Sequence, residues 1–359
     1  MLNVHGHGLA VRMLEAGLKS DRLHHAYLLS GPAHVGKTTL ATQLAQAVNC
    51  TADDRPCGTC GPCTRVAGGA HADVSVIEVD PDATEGARTV IYIDAVKDLI
   101  ASAHLRPFEG RTRVYVIQGA DRLSHDAANA LLKVLEEPPP DVLLLLLTDN
   151  ADGVLPTIRS RCQLIEMRPL PVARVAEVLR GEHGASEEQA EMLARLSRGC
   201  LGWAIEASND PAALAAVQQR LERIADVIDG ELEARFAYAD ELARRFARDR
   251  AAGREELFLW MRWLRDVLLI QQGQGDRIVN LSWRDTLERQ AAAITSAELT
   301  RWLHALTDTV GALDRNANPR LALEALMLSA PRGTALHPLA SAERRSPASA
   351  VERWPDRSA

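Results

Sequence analysis

A chain of 359 residues is long enough to bury the cores of two or three domains. Its 47% apolar and 25% charged residues are ordinary for a globular protein, and a net charge of −7 excludes a surface that coats nucleic acid as a whole. The longest strongly apolar run, residues 142–147, is far short of the roughly 20 residues that a membrane helix needs. Residues 1–7 carry no basic start or apolar stretch of a signal peptide, so the expectation is a soluble cytoplasmic protein with no membrane partner.

Residues 1–168 alternate strand-like and helix-like segments, which predicts an α/β core with a parallel sheet and helices on both faces. The strands are expected at 27–29, 74–79, 114–117, 143–147 and, more weakly patterned, 163–166. Directly after the first comes Gly31-Pro32-Ala33-His34-Val35-Gly36-Lys37-Thr38, a phosphate loop of spacing G-x-x-x-x-G-K-[ST], followed by Thr39. In such a loop backbone N–H groups converge on phosphate, Lys37 reaches the β and γ oxygens, and Thr38 offers a magnesium ligand. Leu40, Leu44 and Val48 then keep the spacing of a helix, the setting the loop requires.

Cys50, Cys57, Cys60 and Cys63 follow, with glycines at 58 and 61 and Pro62 between them. The spacing suits a knuckle around one structural Zn²⁺, and a closed four-thiolate site leaves no position for substrate. Two disulfides are the competing reading, although nothing points to an oxidising compartment. Cys162 and Cys200 stand alone and read as small core residues.

An amphipathic stretch at 93–104 leads to the strand that should supply magnesium-binding acids, but that strand ends in Gln118-Gly119. Without those carboxylates Mg²⁺ and the attacking water are unsupported, so the chain is expected to bind ATP and not to hydrolyse it. Asp121 falls past the strand end and is expected not to reach. A helix at 125–137 stops at Pro138-Pro139-Pro140. Beyond Pro171 no strand is expected. Residues 169–208 read as a small helical lid with a turn at 198–202, and 209–331 as an all-helical domain of four or five helices. In the latter, Leu257, Trp260, Met261, Leu264, Val267 and Leu268 form a stripe that reads as core rather than ligand site. Residues 332–359 have the composition of a disordered tail.

Several stretches resemble the clamp-loader family of bacterial DNA polymerase III, an AAA+ assembly, and within it the delta-prime type of subunit most closely. They are His25-Ala-Tyr-Leu-Leu-Ser-Gly-Pro32, the four-cysteine knuckle, His71-Ala-Asp-Val74, Ala127-Ala-Asn-Ala-Leu-Leu-Lys-Val-Leu-Glu-Glu-Pro-Pro139, Leu155-Pro-Thr-Ile-Arg-Ser-Arg-Cys162 and Asn318-Pro-Arg-Leu-Ala-Leu-Glu324. The resemblance implies an AAA+ core, a helical lid and a helical collar in a hetero-oligomeric ring of five subunits with gamma/tau and delta, part of the polymerase holoenzyme. That ring places the sliding clamp on primed DNA during replication. It also implies that Arg161, of the Ser-Arg-Cys motif, is an arginine finger completing the ATP site of a neighbouring motor subunit, and that Thr148 sits at the first sensor. The motors carry Asp-Glu where this chain has Gln118-Gly119, and a lid arginine where it has Gly202.

Two other readings stand beside this one. A gamma/tau-like motor ATPase would need an acid that the motifs do not supply, and the long tau form would need a large further C-terminal region. A DNA-binding zinc protein would need more basic residues near the knuckle than Arg55 and Arg65.

Overall fold

The structure, a computed structural model, describes residues 2–79 and 90–331, and divides in sequence into two compact units between Val217 and Gln218. Five parallel strands organise the first unit: β1 (Ala26–Ser30), β2 (Val74–Ile77), β3 (Arg113–Gln118), β4 (Val142–Thr148) and β5 (Gln163–Glu166). Their order across the sheet is β2-β3-β4-β1-β5, and the register runs from Ala26 opposite Leu144 to Ser30 opposite Thr148. Every residue of β4 is buried, as expected of a central parallel strand covered on both faces.

Alternation along the strands divides the core in two. Tyr27, Leu29, Val114, Val116, Leu143 and Leu145 point to one face, where they meet Leu14 of α1 (Gly8–Ser20) and Leu40 and Leu44 of α2 (Lys37–Asn49). Leu28, Tyr115, Ile117, Leu144 and Leu146 point to the other, against Leu99 of α4 (Ile93–Ala103) and Leu131 and Leu135 of α5 (His125–Glu136). The short α3 (Gly61–Ala67) follows the knuckle. Ser124 caps α5 by accepting from the Ala127 amide, and the helix stops before Pro138 as the sequence requires. The α/β fold is therefore the one read from the pattern, with strand ends displaced by one or two residues.

A single-turn helix α6 (Pro156–Arg159) precedes β5. Beyond β5, α7 (Val172–Glu182), α8 (Glu187–Leu196) and α9 (Leu201–Asn209) enclose their own apolar cluster of Val175, Leu179, Leu193 and Ala204. The turn expected at 198–202 is tighter than that, because Leu201 and Gly202 already belong to α9.

The second unit contains α-helices and short 3₁₀ turns among its described residues. It comprises the part of α10 (Pro211–Asp229) from residue 218, α11 (Leu232–Arg248), α12 (Arg250–Gln271), α13 (Arg284–Ala293), α14 (Ser296–Asp314) and α15 (Pro319–Leu328). That is one more than the upper end of the four or five helices expected; α13, polar around a single large apolar residue, Leu287, offers the weakest amphipathic pattern to read. Trp260 and Trp302 meet edge to face at 5.0 Å, and the stripe on α12 is core. Arg235, 3% exposed, donates to the carbonyls of Val227, Ile228, Ala330 and Pro331, so one guanidinium satisfies the end of α10 and the segment after α15. Among the described residues no helix is long and apolar enough to cross a membrane. The tail expected at 332–359 lies outside the described residues.

Candidate functional site: the phosphate loop, the cysteine knuckle and Arg161

β1 delivers the chain to the phosphate loop at the edge of a cavity of about 560 Å³. Ala33, His34, Gly36, Lys37, Thr38 and Thr39 line it, and Thr148 joins them from the end of β4. Gly31 and Pro32 contribute through their carbonyls, which accept from Lys37 Nζ at 2.6 and 2.9 Å. Val35 turns its side chain into the core instead, and its carbonyl lies 3.3 Å from Nε2 of the buried His7. Six of the predicted loop residues and the sensor position thus line one cavity, Gly31 and Pro32 are tied to it through Lys37, and Val35 is not part of it.

Four acids that motif reading did not assign also line this cavity, Glu78, Asp121, Asp149 and Glu206, and two of them contact the predicted residues Lys37 and Thr148. Asp149 Oδ1 accepts from Lys37 Nζ at 2.6 Å. Asp121, expected to fall short, accepts from Thr148 Oγ1 at 2.6 Å. That expectation is corrected: Gly119, at φ 80°, starts a one-turn 3₁₀ helix (Ala120–Arg122) that folds Asp121 back over the strand end. The only signal available in sequence was the adjacency of Asp149 to Thr148. Gln118 and Gly119 line the cavity as expected and bring no charge.

The start of α9 closes directly onto the loop. The Gly202 amide donates to the His34 carbonyl at 2.9 Å, and Glu206 lies 3.2 Å from His34 Nδ1. A Cβ at position 202 would stand 2.8 Å from that same carbonyl oxygen, so only glycine fits without displacing backbone.

At the knuckle the four sulfurs of Cys50, Cys57, Cys60 and Cys63 all lie within 4.8 Å of one another, and none is in a disulfide. Cys50 and Cys60 Sγ are 3.8 Å apart. A tetrahedral Zn²⁺ with bonds of about 2.3 Å sets sulfurs about 3.8 Å apart, whereas a disulfide needs about 2.05 Å. The donor set therefore fits a four-thiolate metal site. Backbone hydrogen bonds from Thr51 and Cys63 pull the Cys60 thiol down to about 5, and burial pushes Cys63 up to about 12. Gln46 Nε2, on α2, donates to the Cys63 carbonyl and ties the knuckle to the phosphate-loop helix. Arg65, one of the two basic residues near the knuckle, is engaged by Glu109 at 2.7 Å.

Next to the knuckle, the His71–Val74 segment organises a loop. Asp73, fully buried, accepts from the amides of Phe108, Glu109 and Gly110 and from Arg113 Nη2. Burial alone would raise its pKa, but those four donors outweigh it and hold the carboxyl below the usual range. Asn49 does the same for the Arg111 and Thr112 amides.

Arg161 is not among the residues lining the phosphate-loop cavity. It follows α6, about one-third exposed, with Nη1 donating to the Thr157 carbonyl and Nη2 2.7 Å from Glu136 Oε1. Cys162 beside it packs against the core, and burial pushes its thiol up to about 12.

Residues 6–171 match the family model described as DNA polymerase III, delta subunit, and residues 216–330 match the model for the C-terminal part of the delta subunit. Between them the two take in more than three quarters of the chain. The chain belongs to the delta-prime family of DNA polymerase III clamp-loader subunits. It is 27% identical over 324 residues to subunit delta' of Bacillus subtilis, covering 90% of this chain and 95% of that one. To subunit gamma/tau of Mycobacterium tuberculosis it is 30% identical over 355 residues, 87% of this chain and 57% of that one. To subunit tau of Escherichia coli it is 36% identical over 207 residues, 56% of this chain and 31% of that one. The chain spans little more than half, or less, of these gamma/tau relatives.

Proposed function

We propose that this clamp-loader protein is the ring's stator: it holds nucleotide without useful hydrolysis, donates Arg161 to the ATP site of an adjacent gamma/tau subunit, and packs residues 209–331 into a collar. In this reading it sits with delta and gamma/tau subunits in a five-membered ring that loads the sliding clamp onto primed DNA, in the cytoplasm. The observation that carries it is the combination of an intact phosphate loop with Gln118-Gly119 at the end of β3. Lys37, Thr38 and the loop amides can hold a phosphate chain, but β3 brings no carboxylate to the metal. Gly202 supports the same conclusion, since α9 lies too close to the loop for an arginine there.

Each residue then has a defined part. Gly31–Thr39 and Thr148 surround the phosphates, and Mg²⁺ has Thr38 as its protein ligand. Arg161, off the cavity and partly exposed, presents a planar, permanently charged fork that suits a γ-phosphoryl group on another chain. Cys50, Cys57, Cys60 and Cys63 hold Zn²⁺, which supplies a structural crosslink among α2, the knuckle and α3.

One observation favours the motor reading instead: Asp121 reaches the cavity and touches Thr148. ATP turnover by the isolated chain decides between them. Negligible turnover in both the wild type and Lys37→Ala supports the stator, and robust turnover abolished by Lys37→Ala supports the motor.

A further inference from the structure

Lys37 has a side chain only 10% exposed, and all three of its donors are taken by the chain itself. Nζ donates to the carbonyls of Gly31 and Pro32 and to Asp149 Oδ1. An ammonium has three donors and no more, so a phosphate oxygen arriving at Lys37 must displace one of them. Two of the acceptors are backbone carbonyls of the loop. The third is the carboxylate of a residue just past the end of β4, about half exposed and attached through a rotatable side chain. Asp149 is therefore the partner that yields.

Thr148 is committed in the same way. The residue is 1% exposed, and its hydroxyl lies 2.6 Å from Asp121 Oδ1 and 3.0 Å from the Asn150 carbonyl and accepts from the Asn150 amide. A hydroxyl has one proton to give, and the shorter, charge-assisted contact to Asp121 takes it. The two groups best placed to read a phosphate chain thus both face carboxylates. A carboxylate offers what a phosphate oxygen offers: negative charge and an acceptor for N–H and O–H.

We propose that Asp149 and Asp121 are internal phosphate surrogates, and that Asp149 sets the nucleotide affinity of the site by competing for Lys37. This rests on reading the cavity as a nucleotide site. A buried ammonium without a partner is costly, so the pairing lets the loop keep its shape with no nucleotide to hold it. The contact differs from an ordinary surface ion pair because one partner is buried and both line the cavity that a ligand would occupy.

The test is calorimetric titration of the full-length chain with ATP and Mg²⁺, comparing wild type with Asp149→Asn, Asp149→Ala and Asp121→Asn. Thermal melts without nucleotide establish that each variant is folded. Both Asp149 variants are expected to bind ATP at least about tenfold more tightly than wild type, the size of one hydrogen bond to a charged group. Asp121→Asn changes affinity in the same direction by less. If wild type binds ATP and the Asp149 variants bind no better, the surrogate role is overturned while the nucleotide site stands. If no variant binds ATP, the nucleotide reading itself fails and takes the proposal with it.

Discussion

Arg161 Nη2 lies 2.7 Å from Glu136 Oε1, joining the residue proposed as a finger to the end of the helix that carries the Glu-Glu-Pro-Pro motif. Both side chains are substantially exposed, so the pair contributes little to folding and is readily exchanged for another partner. Arg161→Ala is therefore expected to fold, melt within about 1 kcal/mol of wild type and join the ring. In the assembled loader it should slow hydrolysis at one motor site by about 10³-fold, with clamp loading slowed alongside. Arg161→Lys should recover little, because a point charge lacks the planar fork. Site-resolved ATP turnover in a reconstituted ring reads this out, and an unmodified rate would remove Arg161 from the role.

One Zn²⁺ per chain is expected in protein purified without added metal, measured by elemental analysis. Cys60→Ser should release it and lower thermal stability. Because metal binds thiolate and displaces protons, release on titration with a chelator should become easier as pH falls. Intact thiols without metal at neutral pH would contradict the assignment.

Asp73 is expected to be among the most sensitive positions of the first unit. Asp73→Asn removes the charge that the Phe108, Glu109 and Gly110 amides and Arg113 enclose, and should cost about 2–3 kcal/mol in a denaturant melt. Its folded pKa is depressed, so its contribution is fully present above the unfolded value of about 3.9 and is lost as pH falls through the lower folded value. The wild type should lose stability below about pH 4, and Asp73→Asn should show a flatter acid limb.

In the second unit, Glu256 is the corresponding point. Its side chain, 3% exposed, accepts from Arg220, Arg245 and the Tyr238 hydroxyl, which in turn accepts from Trp260 Nε1. Glu256→Ala removes the acceptor of the Tyr238 hydroxyl and the nearer partner of two partly exposed arginines, leaving them with Glu255 and Glu241 at 3.8 Å. It should cost about 2–3 kcal/mol, discounted from a fully buried pair because both arginines reach solvent. A Tm unchanged from wild type would show that water replaces the carboxylate without penalty.

The sheet was legible because a parallel core writes itself as short apolar runs: residues 142–147 could be little else, and β4 is the fully buried central strand. The phosphate loop and the cysteines were legible because their chemistry fixes spacing. Asp121 was not, since its reach depends on the left-handed turn at Gly119, which sends the chain back where a strand would have carried it away. Asp149 was not either, because its partner Lys37 is 112 residues distant in sequence. In the second unit α13 carries little signal to read, for want of apolar residues. The polar network around Glu256 was hidden for a similar reason: a glutamate inside an amphipathic helix reads as solvated until its neighbours from α10 and α11 are in place.

The contact between Gly202 and His34 bears on how such a protein could change. A side chain at position 202 would run into the carbonyl to which the Gly202 amide is bonded, so an arginine could not be installed until the helix had lifted from the loop. An acid at 118 is an ordinary substitution on β3, whereas one at 119 would have to adopt the left-handed φ of 80° that favours glycine, and neither would supply a lid arginine. Recovery of a motor from this chain would have to begin with a backbone movement that by itself confers nothing. If the chain is the proposed stator, the close fit of one glycine would act as a ratchet, making that state simpler to keep than to reverse.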